Sequence, residues 1–215
     1  MRDNLPSYPC QSTHKRRFLT SFIGSTNALN PILVGLRRLI VSHCRAAGEP
    51  LCKLVNFDDL QGQTGESGWH EVHRSSTFCL EPPGYGVTRR STTQVLTAGC
   101  IPVTFLTDEE RDLYYPFFTR GWLLNATVNF DRTHIHRRVR ANQSLDLIGE
   151  LSAIPRERVA AMRRTIASHA QAFTYPLIGE VGLPGGASEL LLRALHPPYD
   201  DPRVGSRTEH AGSVW

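Results

Sequence analysis

The segment from Ser76 to Phe105, STFCLEPPGYGVTRRSTTQVLTAGCIPVTF, constrains the fold of this chain more than any other. Thr77 to Leu80 is a short apolar run of strand character. The stretch Glu81-Pro82-Pro83-Gly84-Tyr85-Gly86 cannot be helical, because its two prolines lack amide donors and clash with a preceding turn. Thr88 to Ala98 then carries a helix whose apolar contacts come from Val95, Leu96 and Ala98. Gly99 stops it where a left-handed residue is usually required, and Cys100 to Phe105 is a second buried strand. Strand, loop, helix and strand in that order make a βαβ unit with parallel strands and a right-handed crossover. The expected fold is therefore α/β, with a Rossmann-like, doubly wound parallel sheet.

The flanking sequence extends this plan. Arg17 to Ile23 reads as a first strand, followed by the turn cluster Gly24-Ser25-Thr26-Asn27. Ile32, Leu33, Leu36, Leu39 and Ile40 recur at helical spacing up to about Ala47, where Gly48 ends the pattern. Leu51 to Phe57 reads as a second strand, and Asp58 to Gly68 as a mobile, Gly-rich insertion. Asn125 to Phe130 is a further strand. Pro155 opens a closing helix with Val159, Met162, Ile166 and Ala170 on one face. The domain boundaries expected are a linker or arm over 1–15, one domain over 16–180 and a flexible tail over 181–215. A length of 215 residues suffices for one large core without staples.

Charge and cysteine content exclude several classes. The balance of 24 basic and 20 acidic residues gives only +4, too diffuse for a nucleic-acid partner, although all basic residues but Lys15 and Lys53 are arginine. No uninterrupted apolar stretch of ~18 residues is present, so no membrane span is expected, and the first twenty residues do not form a secretory signal. Cys10, Cys44, Cys52, Cys79 and Cys100 include no C-x-x-C pair, which argues against zinc and thioredoxin sites. Cys79 and Cys100 read as small core residues, and Cys44 and Cys52 as unbridged unless the compartment is oxidising. His70-x-x-His73 and His134-x-His136 read as surface histidines rather than metal ligands. The aromatic run from Tyr114 to Trp122 reads as packing rather than as a sugar platform. Sequons at Asn125 and Asn142 suit a lumenal protein but arise often by chance.

In open α/β sheets, ligands lie beyond the carboxyl ends of the strands, against helix N-termini that favour anions. The loop Glu81 to Thr88 and the first turn Thr88-Arg89-Arg90-Ser91 occupy that position. Gly84 and Gly86 allow close backbone approach, Thr88 or Ser91 offers a hydroxyl, and Arg89 or Arg90 offers a fork to a diphosphate. Gln94 lies one turn deeper than Arg90 and can hydrogen-bond a ribose diol. On residues alone, an ordinary capped and solvated helix start is the favoured reading.

The run FCLEPPG(x)3TRRS(x)7AGCIPV, Phe78 to Val103, resembles the signature of exostosin-type inverting glycosyltransferases, glycosyltransferase family 47, and is most similar to the plant xyloglucan galactosyltransferase branch. The early strand with its Gly24 turn, Arg37 on the first helix and SAIPRERVAAMR at Ser152 to Arg163 follow in the family's order. The resemblance covers roughly residues 15 to 175. It implies the C-terminal, nucleotide-sugar-binding half of a GT-B architecture, with the N-terminal half as the expected partner. It also implies a UDP-sugar donor, a polysaccharide or glycan acceptor, and a Golgi-lumenal full-length relative with a membrane anchor that this chain lacks.

The resemblance assigns nucleotide-sugar binding to Gly24, Arg37, Gly84, Tyr85, Thr88, Arg89, Arg90, Ser91 and Gln94. Arg89 and Arg90 would neutralise the diphosphate, Ser91 would cap it, position 94 would read the ribose, and Tyr85 has room to stack on uracil. Two departures stand out. Gln94 occupies a position where the family carries an acid, and PPGYG lacks the Asp that the branch places soon after the glycine. Loss of one charged hydrogen bond costs ~1.5–3 kcal/mol, or one to two orders of magnitude in affinity. No catalytic base is assigned; Glu81, Asp108 and Glu109 are the carboxylates nearest the loops concerned. No cofactor is expected, and without an Asp-x-Asp motif no divalent metal is implied. The alternative function is a non-catalytic nucleotide-sugar-binding fragment or truncated pseudoenzyme.

Overall fold

The computed structural model describes residues 16–28, 30–57, 66–84, 89, 91–114 and 121–169, all within the compact unit Met1–Ala170. Strands β1 (Phe18–Gly24), β2 (Cys52–Asn56), β3 (Ser76–Glu81), β4 (Ile101–Thr104) and β5 (Val128–Asn129) form one parallel sheet in the order β2-β1-β3-β4-β5. The register pairs Thr20 with Cys52 and Phe78, and Leu80 with Val103. Helix α1 (Pro31–Ala47) joins β1 to β2, and α3 (Ser91–Thr97) joins β3 to β4. The chain thus adopts the expected α/β, Rossmann-like arrangement.

Local chemistry accounts for these elements. The Asn30 side chain accepts the Ile32 amide at 2.9 Å and Pro31 opens α1 with its φ already set. Leu33, Leu36, Ile40, Val41 and Cys44 form the buried stripe of α1, and Gly48, at φ 63°, ends it. Gly99, at φ 66°, lets the chain leave α3 directly into β4, as the sequence predicts. Both faces of the central strands are covered, so Phe22, Phe78, Leu80 and Ile101 are fully buried together with Leu36, Leu96 and Phe105.

Several expectations change. Residues Glu66–Arg74 form helix α2, which overlaps the expected mobile insertion; residues 58–65 lie outside the described set. Its helical register was hidden by Gly68 and two histidines, and packing against β3 and α3 selects it. The expected strand over Asn125 to Phe130 reduces to Val128–Asn129, because Trp122–Ala126 wind into a 3-10 turn. Helices α4 (Asp108–Tyr114), α5 (Arg132–Arg140) and α6 (Leu147–Ser152) were not expected as such. The closing helix α7 (Arg156–His169) buries Met162 and Ile166, while Ala170 lies outside the described residues, as do the arm over 1–15 and the tail from 181. Trp122 stacks on His169 with ring centroids 4.5 Å apart, which places this aromatic in packing; Tyr115, Phe117 and Phe118 lie outside the described residues.

The cysteine reading holds for the burial of Cys79 and Cys100 but not for their pairing. Cys44 and Cys52 are bridged, and Cys79 and Cys100 form a second disulfide buried against Val95. The pairings follow from the sheet. Cys44 lies in the last turn of α1 and Cys52 opens β2, and the β3–β4 crossover returns Cys100 to the side of Cys79. The reading of His73 as a surface residue also fails, since it is buried at 3% exposure. Its Nδ1 lies 3.2 Å from Cys79 Sγ, and because a disulfide sulfur carries no proton, Nδ1 is the donor.

A second residue without a sequence signal is Arg16. Its guanidinium donates to the carbonyls of His73 (2.9 Å), Arg74 and Ser76 (3.1 Å), and to those of Ala98 and Gly99 (both 3.0 Å). It ties the entry of β3 to the end of α3.

Candidate functional site at the sheet switch point

Strand order reverses around β1: β2 pairs on one side and β3 on the other, so a crevice opens beyond the carboxyl ends of β1 and β3. Those ends are Gly24 and Glu81. Four of the sequence-predicted residues meet there.

Arg37 reaches this point from the inner face of α1 and is only 5% exposed. Its Nε and Nη2 donate to the Pro83 carbonyl at 3.1 and 2.9 Å, Nη2 also to Pro82 at 3.3 Å, and Nη1 to Ser25 at 2.7 Å. Two consecutive prolines lack the amides that would pull the loop into a ladder, so a guanidinium from a neighbouring helix supplies the donors that hold it. Arg37 therefore spends its forks on backbone and acts as a positioning residue for the loop.

Gly24 is the notch between two cations. A Cβ there would lie 3.2 Å from the Phe22 ring, 3.5 Å from Arg37 Nη1 and 3.6 Å from Arg89 Nη2. A Cβ on Gly84 would lie 3.6 Å from Arg37 Nη2. Both glycines keep the backbone close to guanidinium groups, leaving no side chain over them.

Glu81 closes the cluster from beneath. It is 5% exposed at the end of β3, and its Oε2 accepts the Ser91 hydroxyl at 2.6 Å and approaches Thr92 Oγ1 at 3.5 Å and Arg89 Nε at 3.8 Å. The Ser91 hydroxyl, expected to cap a diphosphate, is thus engaged by Glu81, because a buried carboxylate needs donors. The same contacts make Glu81 an anchor for Arg89 rather than an accessible base. Arg89 retains one buried nitrogen, Nη1, without a hydrogen-bond partner among the described residues. A buried unsatisfied donor is rare enough to require an explanation, and an anion is one.

The remaining sites separate. Gln94 is half-exposed on α3. Tyr85, Thr88 and Arg90 lie outside the described residues. Asp108 and Glu109 are exposed on the first turn of α4, where Asp108 pairs with Arg111 at 2.8 Å. Burial, then His70 and Arg89, pushes the His73 imidazole down to about 4, so a neutral ring lies behind the cluster. Among the described residues no group of three metal-ligating side chains occurs, and no helix is long and apolar enough to cross a membrane.

Gly24, Arg37, Gly84 and Arg89 thus meet at one strand-end crevice. Residues 8–145 match the Exostosin GT47 domain. The chain belongs to the exostosin GT47 family. It is 29% identical over 173 residues to the probable xyloglucan galactosyltransferase GT13 of Arabidopsis thaliana, a match covering 78% of this chain and 34% of that protein. It is 36% identical over 109 residues to the xyloglucan-specific galacturonosyltransferase 1 of the same plant, covering 51% of the chain and 15% of that protein. It is 37% identical over 97 residues to the xyloglucan galactosyltransferase MUR3, covering 42% and 14%. This exostosin chain spans about a third of the first relative's length and less of the other two.

Proposed function

We propose that this exostosin chain is the donor-binding half of a GT-B glycosyltransferase that moves a hexose from a UDP-sugar to a polysaccharide or glycan acceptor with inversion. The observation that carries the reading is Arg89, aimed by Glu81 at the Gly24 notch with a buried nitrogen left unpaired among the described residues. In such a transfer the acceptor oxygen attacks the anomeric carbon, the bond to the diphosphate breaks, and negative charge grows on the departing UDP. A guanidinium held in place before the reaction stabilises that charge without reorganising. Arg90 and Thr88 supply further contacts in this reading, Tyr85 stacks on the base and Gln94 reads the ribose. The arginines take the role a divalent ion has elsewhere, the acceptor and its base belong to a cleft shared with an N-terminal half, and the working compartment is the Golgi lumen. The names of the relatives support a xyloglucan-type acceptor.

Titration calorimetry with UDP tests the reading. The parent chain should bind, and Arg89→Ala should weaken binding by roughly 10- to 100-fold, the worth of one charge-assisted hydrogen bond. Equal affinities would refute it. The engagement of Glu81 by Ser91 favours a second reading, a chain that binds donor without turnover. Release of labelled sugar from the UDP-sugar, abolished by Arg90→Ala, distinguishes the enzyme from the binding fragment.

A further inference from the structure

A second cavity, of about 590 Å³, opens among the start of α1, the residue before α4 and helix α5. Its described lining includes Ile32, Thr107, Arg132, His136, Arg137 and Arg140, and none of the Gly24, Arg37, Gly84 and Arg89 cluster. The volume is that of an ordinary small-ligand site. The charge is one-sided: three arginines and no carboxylate line the described wall. Arg132 is already neutralised by Glu110, Nη2 to Oε1 at 2.5 Å, which fixes it as a wall. Arg137 and Arg140 are exposed, project from the last turn of α5, and have no ion-pair partner among the described residues. A concave surface with like charges focuses field and attracts an anion.

Two further features narrow the ligand. His136 Nε2 is buried and has no hydrogen-bond partner among the described residues, and burial, then Arg132 and Arg140, holds its imidazole below the ordinary range. It is a neutral group with an unsatisfied polar atom in the wall of a cationic cavity. Ile32, on the α1 side of the lining, is 52% exposed, which presents an apolar face to the occupant. Such a site asks for a compact body with an apolar face, hydroxyls to satisfy His136 and Thr107, and one negative group to lie between Arg137 and Arg140. We infer that this cavity binds a carboxylate-bearing sugar, a uronate unit of a glycan, through Arg137 and Arg140, at a subsite separate from the Arg89 cluster. Forked guanidinium donors match a carboxylate in plane, and the sugar's hydroxyl-free face covers Ile32.

The test is calorimetric titration of the full chain with digalacturonate, with its methyl ester, which has the same shape without the charge, and with UDP. Digalacturonate should bind, the ester at least tenfold more weakly, and an Arg137→Gln/Arg140→Gln double variant should lose at least tenfold in affinity for the acid. Arg89→Gln should bind digalacturonate as the parent does, which separates this site from the donor reading. Thermal melts of the double variant should match the parent, since both side chains are exposed. Equal binding of acid and ester, an unaffected double variant, displacement of digalacturonate by UDP, or no binding of digalacturonate would each overturn the assignment.

Discussion

Arg37 offers the sharpest test of how the site is held. Replacing it with alanine removes donors from three carbonyls, those of Ser25, Pro82 and Pro83, at a position 5% exposed. A buried acceptor left unpaired costs ~1–3 kcal/mol. Water can enter the space left by a guanidinium and reach a carbonyl's second lone pair, so each loss falls near the low end and the total near ~3–5 kcal/mol. For a chain of this length that is a fall in Tm of roughly 6–20 °C. Arg37→Lys keeps the charge but a single ammonium cannot span both the Ser25 and the Pro83 sides, so it should recover less than half of the loss. Urea unfolding followed by tryptophan fluorescence, at equal m-value, measures both variants. Arg37→Ala within ~1 kcal/mol of the parent, or Arg37→Lys indistinguishable from it, would refute the clamp.

Two further outcomes follow from buried groups. His73 has a folded value of about 4 against 6.5 for an exposed imidazole, so the unfolded chain takes up more protons between these pH values. Its contribution is complete above pH 6.5 and disappears as pH falls through about 4, a difference of ~3 kcal/mol; in His73→Gln the stability measured by urea titration should fall less steeply over that window, and an unchanged slope would count against the burial. Four of the five cysteines are bridged, so a thiol titration of the unfolded, unreduced chain should find one free thiol. By loop-closure entropy, Cys79→Ala/Cys100→Ala, which opens a separation of 21 residues, should cost ~3.3 kcal/mol, and Cys44→Ser/Cys52→Ser, with a separation of 8, ~2.5 kcal/mol. Five titrating thiols would refute both bridges.

What the sequence determined by itself is local. Asn30 with Pro31, Gly48 and Gly99 mark helix ends because capping and positive φ are decided within a few residues, and the apolar runs at Phe18, Phe78 and Ile101 read as strands because both faces are covered. The position of Gly24, Gly84 and Arg89 at strand ends was legible for the same reason, since the βαβ pattern dictates where such ends lie. Only the tertiary structure decided that Arg37 serves the Pro82-Pro83 backbone, that Ser91 answers to Glu81, that His73 lies against a disulfide and that Arg16 ties α3 to β3. It also decided that helix α5 faces the start of α1 across a cavity. A guanidinium or an imidazole looks the same in sequence whether it meets water or a carbonyl. Its role is set by which distant segments the sheet order brings within hydrogen-bond range, and no periodicity in the chain encodes that meeting.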